Sequence, residues 1–189
     1  MSQKNRLCLI GLGSNQSLGQ LNPTDILLSS IYALRRHNIV ISKISRFYKT
    51  PAFPKGTGPD YVNAAVMVSS ELEPLSLLEL LHLIEKEKDR KRSKRWGRRT
   101  LDLDLLTFGN SVLPNLQTFN KWLSLPQDLQ RVGAPDRLII PHPRLQDRSF
   151  VLGPLMDIAP DWRHPVLDQS IKQMFFALGE SLRNELVPL

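Results

Sequence analysis

The sequence predicts an α+β domain in which helices pack on an antiparallel sheet. Three observations lead there. Between Leu7 and Phe108 the apolar period switches between two and about 3.6, in the order strand, helix, strand, strand, helix, strand, the split βαβ pattern. Clusters of Pro and Gly separate those segments. The chain has 189 residues, 41 % of them hydrophobic, and a single cysteine, so it can bury a core without disulfide or metal staples.

Each element follows in order. Leu7 to Gly13 reads as a buried strand, closed by the glycine-rich turn GLGSN. Asn22-Pro23 supplies a cap and a first-position proline, after which Ile26, Leu27, Ser30, Ile31 and Leu34 recur at helical spacing. His37-Asn38 ends that helix. Ile39 to Tyr48 alternates as a half-buried strand, with a slip near Ile44 that suggests a bulge. Thr50 to Asp60, TPAFPKGTGPD, is a loop, and Tyr61 to Ser69 is a third strand. Pro74 opens a second helix carrying Leu77, Leu80, Leu81 and Ile84 on one face. Thr100 to Phe108 is the fourth strand. Ser111 to Arg137, with three prolines and no sustained period, reads as a loop insertion (111–137) with one short helix near Gln127–Arg131. A helical stretch up to about Pro160 and an amphipathic helix over Asp168–Leu178 complete a single domain, 1–189.

Composition excludes several classes. No apolar run approaches the roughly 18 residues of a membrane span, and Met1 to Arg6 leads into too short an apolar run for a signal peptide. A cytoplasmic protein without membrane partners is expected. Charge is concentrated. Lys86 to Arg99, KEKDRKRSKRWGRR, holds nine basic and two acidic residues, and the rest of the chain is neutral by count. Such a patch attracts polyanions: a nucleoside triphosphate, nucleic acid or an anionic surface. The helix-end lysines, Lys86, Lys88 and Lys91, are equally well read as solvated partners of a helix dipole.

Asp102 and Asp104 are the sharpest chemical feature. Two positions apart on a strand they share a face, about 7 Å between Cα atoms, while Leu101, Leu103 and Leu105 face the core. Two like charges on one face call for a cation. A Mg²⁺ ion held by carboxylates and phosphates fits, and so do nearby arginines neutralising a solvated pair. Arg90, Arg92, Arg98 and Arg99 precede the pair. Acid pair and arginine cluster together are the equipment of phosphoryl transfer. Among four histidines only His142, between two prolines and ahead of Arg148, is placed in a site. Tyr61, Asn63 and Phe150 could stack on and hydrogen-bond a flat heterocycle, or simply pack. Asn15 could reach a ligand from the glycine turn, and Cys8 is a small buried strand residue.

The ordered set GLGSN, PDYVNAAV, RWGRRTLDLDLL, PHPRLQDRSFVLGPL and DIAP resembles the 6-hydroxymethyl-7,8-dihydropterin pyrophosphokinase family, from about Leu7 to Pro160. The resemblance implies a ferredoxin-like fold and transfer of diphosphate from ATP to the pterin hydroxymethyl group, leaving AMP, with two Mg²⁺ ions. It implies that Asp102 and Asp104 hold the metals and that Arg90 and Arg99 clamp phosphates as catalytic residues. Arg92, Trp96, Leu105, His142 and Arg148 match ATP-contacting positions, with Arg92 and Trp96 in a closing loop. Asn15, Thr50, Pro51, Phe53, Tyr61, Asn63 and Phe150 match the pterin pocket. A monofunctional monomer acting on small molecules, without nucleic acid, is the expectation. Arg98 and Phe53 depart from the family's usual residues, and the 111–137 insertion is longer than the compact family version. The principal rival is a basic RRM-like RNA-binding module. Against it, this chain lacks the aromatic-rich strand of such a module, its third strand reading YVNAAVMV, and the module leaves the two aspartates unexplained.

Overall fold

A computed structural model describes residues 6–52, 56, 58–88, 100–126, 129 and 135–189. Its centre is an antiparallel sheet. Strand β1 (Arg6–Ser14) lies between β4 (Tyr61–Ser70) and β5 (Asp102–Phe108). Beyond β4 come β3 (Tyr48–Thr50) and the two-residue β6 (Val187–Pro188), giving the order β5-β1-β4-β3-β6, and β2 (Val40–Ile44) also pairs with β4.

Helix α1 (Pro23–Arg36) begins as its sequence dictates. The Asp25 amide donates to Asn22 Oδ1 at 3.0 Å, and the Asn22 amide donates to Asp25 Oδ2 at 3.1 Å. Its buried face is the predicted one: Ile26, Leu27, Ser30, Ile31 and Leu34, with Ala33 added. Helix α2 (Pro74–Glu87) buries Leu77, Leu81 and Ile84. These two helices cover one face of the sheet, against Ile10 and Leu12 of β1, Val66 of β4 and Leu103 and Leu105 of β5. A second core covers part of the other face. There α4 (Ser149–Ile158) and α5 (Ile171–Ala177) pack Leu152, Leu155 and Ile171 against Leu9, Ala65 and Leu106. A 3₁₀ turn (Leu145–Asp147) precedes α4, and a short helix α6 (Glu180–Arg183) follows α5.

Four sequence expectations are corrected. GLGSN is not a turn: β1 runs through Ser14, and Gly11 and Gly13 are paired on both sides. The glycines answer to space rather than to chain reversal. The expected strand Ile39–Tyr48 is two strands, with a register shift between Ile41 and Lys43 and a break before Tyr48. The insertion carries α3 (Leu116–Leu123), which the prolines on either side obscured. Leu113 and Ile140 exchange backbone hydrogen bonds of 2.8 and 3.2 Å and close its base. Phe119 of α3 is fully buried, its ring 5.5 Å from that of His164. The helix expected over Asp168–Leu178 is shorter, α5 starting at Ile171 under a Ser170–Gln173 capping box. The helix expected near Gln127–Arg131 lies, Leu129 apart, outside the described residues.

Candidate functional site

The second core covers only part of its face. The uncovered part is where β1 has no side chains. Antiparallel register pairs project to the same side. Gly13 is opposite both Asn63 on β4 and Asp102 on β5, and Gly11 is opposite Ala65 and Asp104. Asp102 and Asn63 therefore face each other across a bare strand, about 10 Å apart at the ordinary strand spacing. A Cβ on Gly13 would stand 3.2 Å from Asn63 Oδ1 and 3.9 Å from both Asp102 Cβ and Tyr61 Cδ1. The backbone of β1 is thus the floor of a shallow site, with carboxylates at one wall and an amide at the other.

The amide wall is ordered by β3. Thr50 pairs with Tyr61 and Tyr48 with Asn63. Asn63 is buried and donates through Nδ2 to Thr50 Oγ1 at 2.7 Å. That fixes the amide's orientation and leaves Oδ1 over Gly13 as an acceptor. Asn15, also buried, donates to the Pro59 carbonyl at 3.2 Å. Tyr61 and Pro51 are half-buried at the rim.

The carboxylate wall is held from its free edge. Buried Glu85 of α2 accepts the Leu103 amide at 2.8 Å, between the two aspartates. Sequence reasoning passed over Glu85 because it sits inside an ordinary helix pattern. Both aspartates are half-buried. Among the described residues the Asp104 carboxylate makes no hydrogen bond or ion pair. Two hard oxygen donors on one face fit a Mg²⁺ ion completed by phosphate oxygens and water. Among the described residues no group of three or more His, Cys, Asp and Glu is gathered for a metal.

His142 stands near this wall. Its amide donates to the Leu106 carbonyl of β5 at 2.8 Å, and its Nδ1 accepts the Arg144 amide at 3.1 Å. With Nδ1 accepting, the neutral ring carries its proton on Nε2. Burial, reinforced by the charges of Arg148 and Arg144, pushes its pKa down to about 3, against the opposing pull of Asp102. His142 is therefore a neutral donor near physiological pH. Arg148 opens α4, with its guanidinium carbon 5.6 Å from the Phe150 ring centroid. Phe150 packs at the edge of the second core.

The expected site residues thus divide into three groups. Thr50, Tyr61, Asn63, Asp102 and Asp104 flank the glycine floor and His142 is tied to β5 beside them, while Asn15 and Pro51 follow directly on β1 and β3 and Arg148 and Phe150 stand at the start of α4. Leu105 is on the opposite face, 3 % exposed in the first core, because its position alternates with Asp104. Phe53, Arg90, Arg92, Trp96 and Arg99 lie outside the described residues.

Residues 9–160 match the family model of 7,8-dihydro-6-hydroxymethylpterin-pyrophosphokinase. A Haemophilus influenzae protein named 2-amino-4-hydroxy-6-hydroxymethyldihydropteridine pyrophosphokinase is 36 % identical over 168 residues, covering 87 % of this chain and 90 % of that one. The Bacillus subtilis protein of the same name is 35 % identical, covering 82 % of this chain and 78 % of that one. A Plasmodium falciparum HPPK-DHPS crystal structure with pterin and p-hydroxybenzoate shares the fold, with TM-score 0.65 at 17 % identity. It matches 92 % of this chain, which spans 43 % of that longer one. With a family match over most of its length and two relatives above 30 % identity, this chain belongs to the 7,8-dihydro-6-hydroxymethylpterin-pyrophosphokinase family.

Proposed function

We propose that this chain transfers the diphosphate of ATP to the hydroxymethyl oxygen of 6-hydroxymethyl-7,8-dihydropterin, leaving AMP. The observation that carries the reading is the register row Asp102–Gly13–Asn63, which sets a carboxylate and an oriented amide on either side of a bare floor. Asn63 Oδ1 accepts from a ring N–H, Thr50 holds that amide in place, and Tyr61, Pro51, Phe53 and Phe150 border the ring. Asn15 supports the same end through the Pro59 carbonyl.

At the other wall Asp102 and Asp104 would hold Mg²⁺ (two ions), whose charge would neutralise the transferring phosphates and polarise the attacked phosphorus. The chain's own residues do the rest. His142 donates from Nε2 and Arg148 contributes charge toward the nucleotide. Leu105 contributes only through its backbone. Arg90, Arg92, Arg99 and Trp96 supply the cationic and planar contacts that the basic segment concentrates, and covering the phosphates keeps water from competing with the pterin hydroxyl. The chain is a single domain, a monomer and cytoplasmic. The ferredoxin-like description treats β2 and β3 as one interrupted strand and β6 as an addition. Among the described residues no helix is long and apolar enough to cross a membrane.

The test is a product assay with ATP, Mg²⁺ and the reduced hydroxymethylpterin. The expected result is AMP formed in step with pterin diphosphate and only when pterin is present. ADP formation overturns the reaction class. No turnover together with salt-sensitive RNA retention would instead favour the nucleic-acid module.

A further inference from the structure

Asp157 lies at the end of α4 and has no place in the site as described. Its carboxylate nevertheless gathers the segment that leads into that site. Oδ2 accepts the Arg46 amide at 3.0 Å, Arg46 Nε at 3.2 Å and the Tyr48 hydroxyl at 2.9 Å, while Oδ1 accepts Arg46 Nη2 at 2.7 Å. The Arg46 guanidinium also lies over the Tyr48 ring, 5.3 Å from its centroid. Beside it, Lys43 Nζ donates to the Ile158 carbonyl at 3.1 Å. These contacts pin the break between β2 and β3 to the C-terminal end of α4.

The break needs pinning. β3 is three residues long and is flanked by β4 and the two-residue β6, so its ladder alone sets its height weakly. Yet β3 carries Thr50, which orients the buried Asn63 amide, and Tyr48 is the register partner of Asn63. Tyr48 is 5 % exposed, so its hydroxyl has little access to water as an alternative partner.

We propose that Asp157 is a positioning residue for the heterocycle: through Tyr48 and Arg46 it sets β3, and with it the Thr50–Asn63 pair that reads the ring. This rests on the reading of that end as the pterin end. Burial would raise the Asp157 carboxyl, but hydrogen bonds from Arg46 and Tyr48 outweigh it and hold the group below the usual carboxylate range. Burial, aided by Asp157, pushes the Tyr48 hydroxyl up to about 12. The pair thus stays carboxylate and neutral phenol throughout the working pH range.

The experiment measures the dissociation constants of the pterin, by its fluorescence, and of a non-hydrolysable ATP analogue, for the unaltered chain, Tyr48→Phe, Asp157→Asn and Asp157→Ala, with thermal unfolding of each. The expected result is pterin binding weakened about tenfold in Asp157→Ala, as a loosened support shell implies, with the analogue within twofold. Tyr48→Phe should weaken pterin severalfold. Asp157→Asn, which keeps an acceptor for Tyr48, should recover part of the loss. Equal weakening of both ligands would reduce Asp157 to a general stabiliser and overturn the inference. If Asp157→Ala does not fold, Tyr48→Phe decides, and an unchanged pterin constant there overturns it. Failure of the unaltered chain to bind pterin overturns the functional reading as well, whereas binding by the unaltered chain and equally by every folded variant overturns this inference alone.

Discussion

Gly13 and Asn63 are register partners on adjacent strands, and a methyl group on Gly13 would stand 3.2 Å from the Asn63 amide oxygen. That distance is tighter than an unstrained contact, and the amide is already tied to Thr50. Gly13→Ala should therefore fold normally, since β1 gains a better strand former there. It should weaken pterin binding about tenfold by displacing the oxygen or filling the floor. Parallel calorimetric titration and thermal unfolding check this; lost stability with intact pterin affinity would contradict it.

The aspartates make a complementary prediction. Asp102→Asn and Asp104→Asn each leave the polar shape and remove a charge that would hold metal. Turnover should fall about a thousandfold or more, since charge stabilisation at the phosphates is the main catalytic term. Stability should be unchanged or slightly raised, because two like charges on one face are relieved. Single-turnover rates and thermal unfolding measure both parts.

Buried His164 predicts a pH dependence of folding. Val166 and Leu167 amides donate to its Nδ1 at 3.2 and 3.1 Å, and among the described residues Nε2 is without a partner. Burial pushes its pKa down to about 4. The unfolded chain takes up the proton near the ordinary value of about 6.5, and the folded chain only near 4. Between those values the unfolded state binds more protons, so stability falls as pH falls, by up to about 3 kcal/mol. His164→Phe should flatten denaturant-derived stability over that window; an unchanged slope would show that other groups dominate.

Gly153 carries a prediction for the chain beyond the family match. A Cβ there would lie 2.6 Å from Leu186 Cδ1. Gly153→Ala should cost about 1 kcal/mol, measured by urea unfolding, because displacing the Leu186 side chain against α4 outweighs the gain of a better helix former. Combining it with Leu186→Ala should recover part of that cost, giving a non-additive cycle.

Much of this molecule was readable from its residues. The Asn22 cap, the α1 face and the Asp102/Asp104 face each follow from local spacing, and the structure agrees with all three. GLGSN misled because glycine serves two purposes, chain reversal and close approach, and one sequence cannot distinguish them. The helix Leu116–Leu123 was hidden because two turns between prolines leave too few positions for a period to emerge. The Arg46–Tyr48–Asp157 cluster was invisible for a different reason. Tyr48 and Asp157 are 109 positions apart, and only tertiary packing joins them. Glu85 shows the same limit: nothing in a helical pattern reveals that one carboxylate turns inward to cap a strand edge.

The alternation of β5 has a consequence for how this protein can vary. Leu103 and Leu105 serve the first core, while Asp104 and Leu106 face the other way. A register shift then returns Phe108 to the first core, with Thr107 Oγ1 accepting the Leu9 amide at 3.1 Å. The strand thus has two phases, one for chemistry and one for packing, joined at the bulge. Deleting Leu103, ahead of the bulge, would make the two aspartates neighbours and so turn one carboxylate into the core. Deleting a residue at the bulge would leave the carboxylates where they are and cost only packing. Length changes in this strand are therefore tolerable at a single point, and point substitution is the route by which its chemistry can drift.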